Sequence, residues 1–182
     1  MSIKTDYILK ALHVLSWIIF IGLCIEAGGF ITNTVATLML GPEGAAKFWK
    51  QVDLTALYSY NQSHYVMLAS IMIIATVLKA LMFYFIVKIF YDKKFDLSKP
   101  FNEVMRRFVL MIAYLALGIG IFSFWGEKFV GQLVNEGVKL PDIMQLRLGG
   151  ADVWLFMGVT LLVIAFIFKK GIEIQNENDL TV

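Results

Sequence analysis

The sequence predicts an all-α integral membrane protein, a four-helix bundle with a small extracytoplasmic cap formed by its two outer loops. Of the 182 residues, 59% are hydrophobic and only 16% are charged, whereas soluble domains are near half apolar and a quarter charged. Four apolar runs each reach or nearly reach the length of about 20 residues that a membrane-spanning helix needs. We expect one domain, with transmembrane helices at about 11–40, 65–91, 108–125 and 153–168.

The first of these runs contains a carboxylate, Glu26, in otherwise apolar sequence. On a period of 3.6 residues, the small and polar residues fall on one side of the helix. These residues are Gly22, Glu26, Gly29, Asn33 and Thr37. The pattern indicates that the bulky side faces lipid and that the polar side faces other helices. A charge at this depth is costly unless it is paired, neutralised or hydrated.

Lys79 in the second run is the other charge within the membrane. At about 1.5 Å of rise per residue, the depths of Glu26 and Lys79 differ by roughly 5 Å, which a lysine side chain spans. We therefore expect an ion pair between Glu26 and Lys79, with Asn33 as a polar neighbour. The pair would either fix the register of the helices or act as a switch that responds to a proton or ligand. A protonated Glu26, or one facing a water-filled cavity, is the third possibility.

The distribution of lysine and arginine predicts the orientation, because cytoplasmic loops carry the excess of these residues. One side of the membrane holds ten of them: Lys4, Lys10, Lys88, Lys93, Lys94, Lys99, Arg106, Arg107, Lys169 and Lys170. The other side holds five: Lys47, Lys50, Lys128, Lys139 and Arg147. We expect a multi-pass protein of the cell membrane with both termini in the cytoplasm and a cytoplasmic tail at 169–182.

Two outer segments of similar length form the expected cap. In the outer segment 41–64, the apolar and polar positions of residues 46–60 favour one amphipathic helix at the membrane interface, with Trp49 at the level of the headgroups. In residues 126–151, a short amphipathic helical turn is followed by residues 143–148, where apolar and polar residues alternate as in a short strand.

Motifs for enzymatic chemistry are missing from the sequence. Nothing matches the spacing of a zinc, nucleotide or nucleophile site. His13 and His64 belong to opposite ends of their helices, so we do not expect a haem with two histidine ligands in one subunit. We expect no metal, no cofactor and no enzymatic activity.

The most distinctive stretches lie at the C-terminal end: an Asp152-Val-Trp-Leu-Phe start to the last helix, the Lys169-Lys170 exit, and a closing Glu-Asn-Asp-Leu-Thr-Val182. With Pro100-Phe101 in the turn between the second and third helices, these stretches resemble a bacterial family of four-span membrane proteins, domain of unknown function 2975. The resemblance implies the four-span topology and no established activity. It also implies a regulatory partner, because genes of the family often stand beside one for a small helix-turn-helix DNA-binding protein.

The tail has the chemistry for such a partnership. It contains the acidic residues Glu173, Glu177 and Asp179 and the apolar residues Leu180 and Val182. A DNA-binding domain presents a basic surface shaped for phosphates, which an acidic tail could occupy; otherwise the tail is simply solvated. Our first hypothesis is a membrane sensor or tether that regulates a small cytosolic helix-turn-helix regulator and does not itself bind nucleic acid. The alternative is a small transporter or channel component with a polar path at Glu26 and Lys79. Besides the lipid bilayer, a second copy of the chain remains open as a partner.

Overall fold

The computed structural model describes residues 3–92 and 101–179. Within these residues the chain is helical and contains no strand. Six α-helices follow one another: α1 (Ile3–Leu40), α2 (Pro42–Ala46), α3 (Thr55–Tyr60), α4 (Gln62–Tyr91), α5 (Glu103–Asn135) and α6 (Ala151–Asp179). A single 3-10 turn, Trp49–Gln51, separates α2 from α3. Four of the helices, α1, α4, α5 and α6, are long and apolar enough to cross a membrane. The predicted all-α, multi-pass fold is therefore confirmed.

The long helices run antiparallel and pack in chain order. The ring of His13 on α1 stacks on Phe90 near the end of α4, and His64 at the start of α4 stacks on Phe129 of α5. Gly120 of α5 lies so close to Leu155 of α6 that a Cβ on the glycine would be 2.7 Å from the leucine side chain. Backbone contacts join α1 to α4, α4 to α5 and α5 to α6, whereas described residues of α1 and α6 share almost none. The bundle is therefore open between α1 and α6.

The largest apolar core lies at one end of the bundle, under residues 41–61 and 136–150, which we call the cap. Fully buried cap residues such as Phe48, Leu57 and Leu148 pack there against helix residues such as Tyr65 and Leu68. The other end, where α1 begins and α6 ends, is called the terminal end. A smaller core of Met82, Ile112 and Ile119 fills the middle of the bundle toward that end.

Two predictions about the cap are wrong. Residues 143–148 do not form a strand; they turn tightly, with the N–H of Leu148 donating to the carbonyl of Ile143. Residues 46–60 do not form one helix on the lipid surface. They are α3 and parts of short neighbouring turns. Phe48, Val52, Leu54 and Leu57 are buried inside the protein, whereas Tyr60 is exposed. In both cases, burial against the ends of the long helices determines the conformation more than the local pattern does.

The long helices extend further than the apolar runs suggested. Helix α5 continues from the predicted end at 125 to Asn135, because Gly126 lets Leu148 and Ile71 pack against its backbone without interrupting the helix. Helix α6 continues through much of the expected tail to Asp179. Leu180, Val182 and Pro100 lie outside the described residues.

Candidate functional site: an ion cluster beneath the cap

Glu26 of α1 pairs with two cations of the cap. The Nε of Arg147, in the loop before α6, donates to Oε1 of Glu26 at 2.9 Å. The Nζ of Lys50, in the 3-10 turn, lies 3.9 Å from the same oxygen. The Glu26 side chain is 13% exposed, whereas those of Arg147 and Lys50 are 48% and 61% exposed. The cations that pair with Glu26 thus come from both cap segments.

Lys79 supports this cluster indirectly. Its Nζ donates to the backbone carbonyl of Arg147 at 2.8 Å and lies 5.8 Å from the ring centroid of Trp154 on α6. This differs from the direct Glu26–Lys79 ion pair expected from the sequence. The Nε of Arg147 occupies the position beside Glu26, and Lys79 holds the backbone of the loop that carries it.

Backbone strain coincides with the two cations that pair with Glu26. Among the described residues, Lys50 (φ 54°) and Arg147 (φ 61°) are the non-glycine residues with a positive φ. The left-handed conformation costs about 1–2 kcal/mol for a residue with a side chain. Such strain persists where the surrounding structure imposes it, often at functional sites. Its occurrence at both partners of one carboxylate marks the cluster as a built site.

The loop that carries Arg147 is anchored on both sides. Leu146 and Leu148 are fully buried, and the carboxylate of Asp142 accepts a hydrogen bond from the N–H of Met144 at 2.8 Å. With both neighbours held in the core, the Arg147 side chain points away from that core toward Glu26. Helix α6 begins at Ala151, directly after this loop.

Lys50 is positioned by the aromatic residues before it. The ring of Phe48 stacks on Phe30 of α1, with centroids 5.8 Å apart. The ring of Trp49 lies against Gly29, so closely that a Cβ on this glycine would overlap the indole. Gly29, on the small side of α1, therefore admits the tryptophan that precedes Lys50.

An open pocket of about 710 Å³ lies beside the cluster. Its charged lining comprises three basic residues, Lys50, Lys139 and Arg147, and two acidic residues, Glu26 and Asp53. The rest of its lining is largely apolar: Phe30, Trp49, Val52, Ala56, Leu140, Pro141, Met144 and Gln145. The arrangement suits binding of a charged group that carries an apolar body.

Other residues singled out from the sequence lie apart from this pocket. The amide of Asn33 donates to the carbonyl of Gly29 in its own helix at 2.7 Å. In the tail, Glu173 accepts a hydrogen bond from Lys170 at 2.7 Å. Glu177 is exposed, and Asp179 is the last residue of α6. Asn33 is therefore not part of the cluster, and the tail residues belong to the terminal end.

Comparison with known proteins places the chain in a family. A family described as "protein of unknown function (DUF2975)" matches residues 40–182. The chain belongs to this family. Lys50, Lys79, Lys139 and Arg147 lie within the matched family region, and Glu26 precedes it. No curated protein and no solved structure matches the chain.

Sequence reasoning missed Arg147, Lys50, Lys139 and Trp49 as members of one site. It looked for the partner of Glu26 among charges within the apolar runs, and Arg147 lies 121 residues away in a loop. One signal was present: Arg147 stands between two leucines and shortly before Gly149-Gly150. This pattern indicates a turn with buried flanks and an arginine on the opposite side.

Proposed function

We propose that the protein is a non-enzymatic membrane sensor whose pocket beneath the cap controls a cytosolic regulator through the end of α6. The single observation that carries this proposal is the position of Arg147. Its side chain binds Glu26 of α1 and lines the pocket, and its backbone lies four residues before the start of α6. A ligand that moves Arg147 would therefore move α6 relative to α1.

Helix α6 supplies the connection between the two ends. It runs without interruption from Ala151 to Asp179, and near its end Gly171 packs against the ring of Phe101. Helix α6 packs against α5 and hardly contacts α1 among the described residues. No interface between α1 and α6 therefore opposes a change at the Glu26–Arg147 contact. Allostery requires two sites and an element that both sites bias; α6 is that element.

The proposed partner is a small helix-turn-helix DNA-binding protein, the class that the family resemblance implies. Glu173 and Glu177 are four residues apart and share one face of α6. A basic DNA-binding face that bound them would replace the exposed Lys169 and Lys170 as partners of Glu173. Tethering at the membrane raises the effective concentration of this acidic face of α6. The proposal requires both termini to be cytoplasmic, in the cell membrane, as the positive-inside rule favours.

The partnership is testable by co-purification in mild detergent. The full chain should retain a helix-turn-helix protein, and replacing Glu173 and Glu177 by glutamine should release it. Glu43→Gln and Glu127→Gln together form the control, because they remove the same charge from exposed sites at the other end of the bundle. Equal retention by both double variants would exclude docking through the tail.

Coupling and orientation need separate measurements. Arg147→Gln should change the amount of retained partner although it lies far from the tail; unchanged retention would show that the pocket and the tail are independent. An epitope fused after Val182 should resist protease added to sealed, right-side-out cells. Cleavage of that epitope would place the tail outside and reject the proposed partner.

The alternative is a small transporter or channel component in which Glu26 and Lys79 line a polar path. Between Lys79 and the terminal end, however, buried Met82 and Ile112 belong to an apolar core. This packing favours the sensor. Substrate flux in proteoliposomes that disappears in Glu26→Gln would favour the transporter instead.

A further inference from the structure

The lengths of the helices place one edge of the pocket near the level of a phospholipid headgroup. Four exposed cations, one on each long helix, mark the terminal end of the apolar segments: Lys10, Lys88, Arg107 and Lys169. The hydrocarbon core is about 30 Å thick, which corresponds to about 20 helical residues. Counted from Lys10 along α1, this distance ends near Phe30, which lines the pocket. Glu26, four residues earlier, also lines the pocket, so the pocket extends from the hydrocarbon core to its boundary, within reach of the phosphates of the opposite leaflet.

The pocket also contains hydrogen-bond donors that the fold leaves unused. In the part of the chain that the structure describes, Arg147 bonds Glu26 through Nε alone, so its two terminal nitrogens have no partner. Lys139 is exposed and takes part in none of the ion pairs among the described residues. A guanidinium fork and an ammonium are groups that bind a phosphate.

The charge balance points in the same direction. Three basic residues, Lys50, Lys139 and Arg147, line the pocket against two acidic ones, Glu26 and Asp53. Because Arg147 and Lys50 share the single charge of Glu26, the pocket keeps an excess of positive charge. We propose that the pocket binds a phosphate group, through the terminal nitrogens of Arg147 and the ammonium of Lys139, with an apolar body against Leu140 and Met144. The phosphate would belong either to a phospholipid headgroup or to a soluble phosphate ester. This inference deepens the proposed function, on which it rests, by naming the ligand class of the same pocket.

The test is a binding measurement on the purified full chain in dodecyl maltoside, a detergent without phosphate. Native mass spectrometry or calorimetry would compare dioctanoyl-phosphatidylglycerol, glycerol 3-phosphate and phosphate-free dioctanoylglycerol. Saturable binding of the phospholipid alone would support a lipid headgroup, and comparable binding of glycerol 3-phosphate would support a soluble ester. Failure of both phosphate probes to bind, or equal binding of dioctanoylglycerol, would overturn the proposal.

Three substitutions test the residues. Lys139→Gln should weaken phosphate binding by about tenfold, since it removes a charge-assisted hydrogen bond without disturbing an internal contact. Asp53→Asn should strengthen it severalfold, because it removes the negative charge and keeps the oxygen that accepts from the N–H of Thr55. Lys47→Gln is the control, since Lys47 is exposed in the cap but does not line the pocket. Equal weakening by Lys139→Gln and Lys47→Gln would show that the cap attracts phosphate only through its general positive charge, and would reject a specific site.

The two proposals fail separately. The binding measurement needs no partner protein, so a loss of co-purification in the tail variants leaves the affinity for phosphate unaffected. Conversely, a pocket that binds no phosphate leaves the tail and its partner as they were.

Discussion

The cap and terminal ends of the bundle use charge in different ways. Beneath the cap, Arg147 reaches Glu26 across 121 residues of sequence and joins a loop to α1. At the terminal end, Arg106 and Arg107 bind Glu103 one turn away on the same helix, at 2.7 and 3.1 Å. Both ends carry ion pairs of good geometry. Among the residues that the structure describes, the ion pairs that connect different parts of the fold are those of Glu26 beneath the cap.

This difference separates tertiary structure from local helix stability. Breaking a pair within one helix costs a few tenths of a kcal/mol in general, and the neighbouring turns remain in place. Breaking the Glu26–Arg147 pair leaves a strained residue at 147 and a partly buried carboxylate whose remaining cation, the Nζ of Lys50, is 3.9 Å away. Substitutions at the two ends should therefore differ in size although the chemistry removed is the same.

Glu26→Gln should have the largest effect. Removing one partner of a buried ion pair costs about 3 kcal/mol or more, and partial exposure of Arg147 places this case at about 2 kcal/mol. Thermal unfolding in detergent would measure it. Glu103→Gln is the matched control and should shift the transition much less. Equal shifts would show that the cluster contributes no more than a local pair.

A double-mutant cycle isolates the contact. Glu26→Gln and Arg147→Gln should together cost less than the sum of the two single changes, because the same interaction is removed twice. The corresponding cycle of Glu26→Gln with Lys79→Met should show weaker coupling, since Lys79 acts on the Arg147 carbonyl. Stronger coupling of Glu26 to Lys79 than to Arg147 would instead support the direct Glu26–Lys79 pair inferred from the sequence.

Local rules were sufficient for the long helices but not for the site. Apolar runs around Glu26 and Lys79 predict spanning helices because, in lipid, the backbone must satisfy its own hydrogen bonds. The position of Arg147 follows from burial of Leu146 and Leu148 against residues distant in sequence. The local Leu-Arg-Leu pattern indicates a turn there but does not identify Glu26 as the partner of Arg147. The left-handed φ of Lys50 likewise arises from packing of Phe48 and Trp49 on α1.

Gly29→Ala and Gly28→Ala should differ although the residues are adjacent. A Cβ on Gly29 would overlap the Trp49 ring, whereas a Cβ on Gly28 would meet nothing within 4 Å. Overpacking of this kind costs about 1–3 kcal/mol, so Gly29→Ala should destabilise the protein by roughly 2 kcal/mol and displace Lys50 from Glu26. Gly28→Ala should be near neutral in the same unfolding assay. Equal tolerance would mean that Trp49 does not hold the cap against α1.

Lys50→Gly should stabilise the protein, in contrast to the destabilising substitutions above. It relieves a left-handed conformation worth about 1 kcal/mol and removes an exposed ion pair that contributes little. Lys50→Ala keeps the strain and loses the same ammonium. We expect the free energy of unfolding of the glycine variant to exceed that of the alanine variant by about 1 kcal/mol. If alanine is the more stable of the two, the strain assigned to this turn is not present.

The smallest expected effect concerns a second long-range contact of the cap. The hydroxyl of Tyr60 donates to Oε2 of Glu136 at 2.9 Å, and Gln132 donates to Oε1 at 3.1 Å. Hydrogen bonds from Gln132 and Tyr60 lower the pKa of Glu136 below its ordinary 4.5, and the bond to Glu136 raises the pKa of Tyr60 above its ordinary 10.0. The contact is thus favoured when the carboxylate is ionised and the phenol is neutral.

The sign of the pH dependence follows from these two shifts. A lowered carboxyl pKa contributes stability above pH 4.5 that is lost as the pH falls through the folded-state pKa, and a raised phenol pKa contributes stability below pH 10.0 that is lost as the pH rises through its own. The difference in unfolding temperature between wild type and Tyr60→Phe should therefore be constant between these limits and shrink outside them. A change in this difference between the two limits would contradict the assignment to Tyr60 and Glu136.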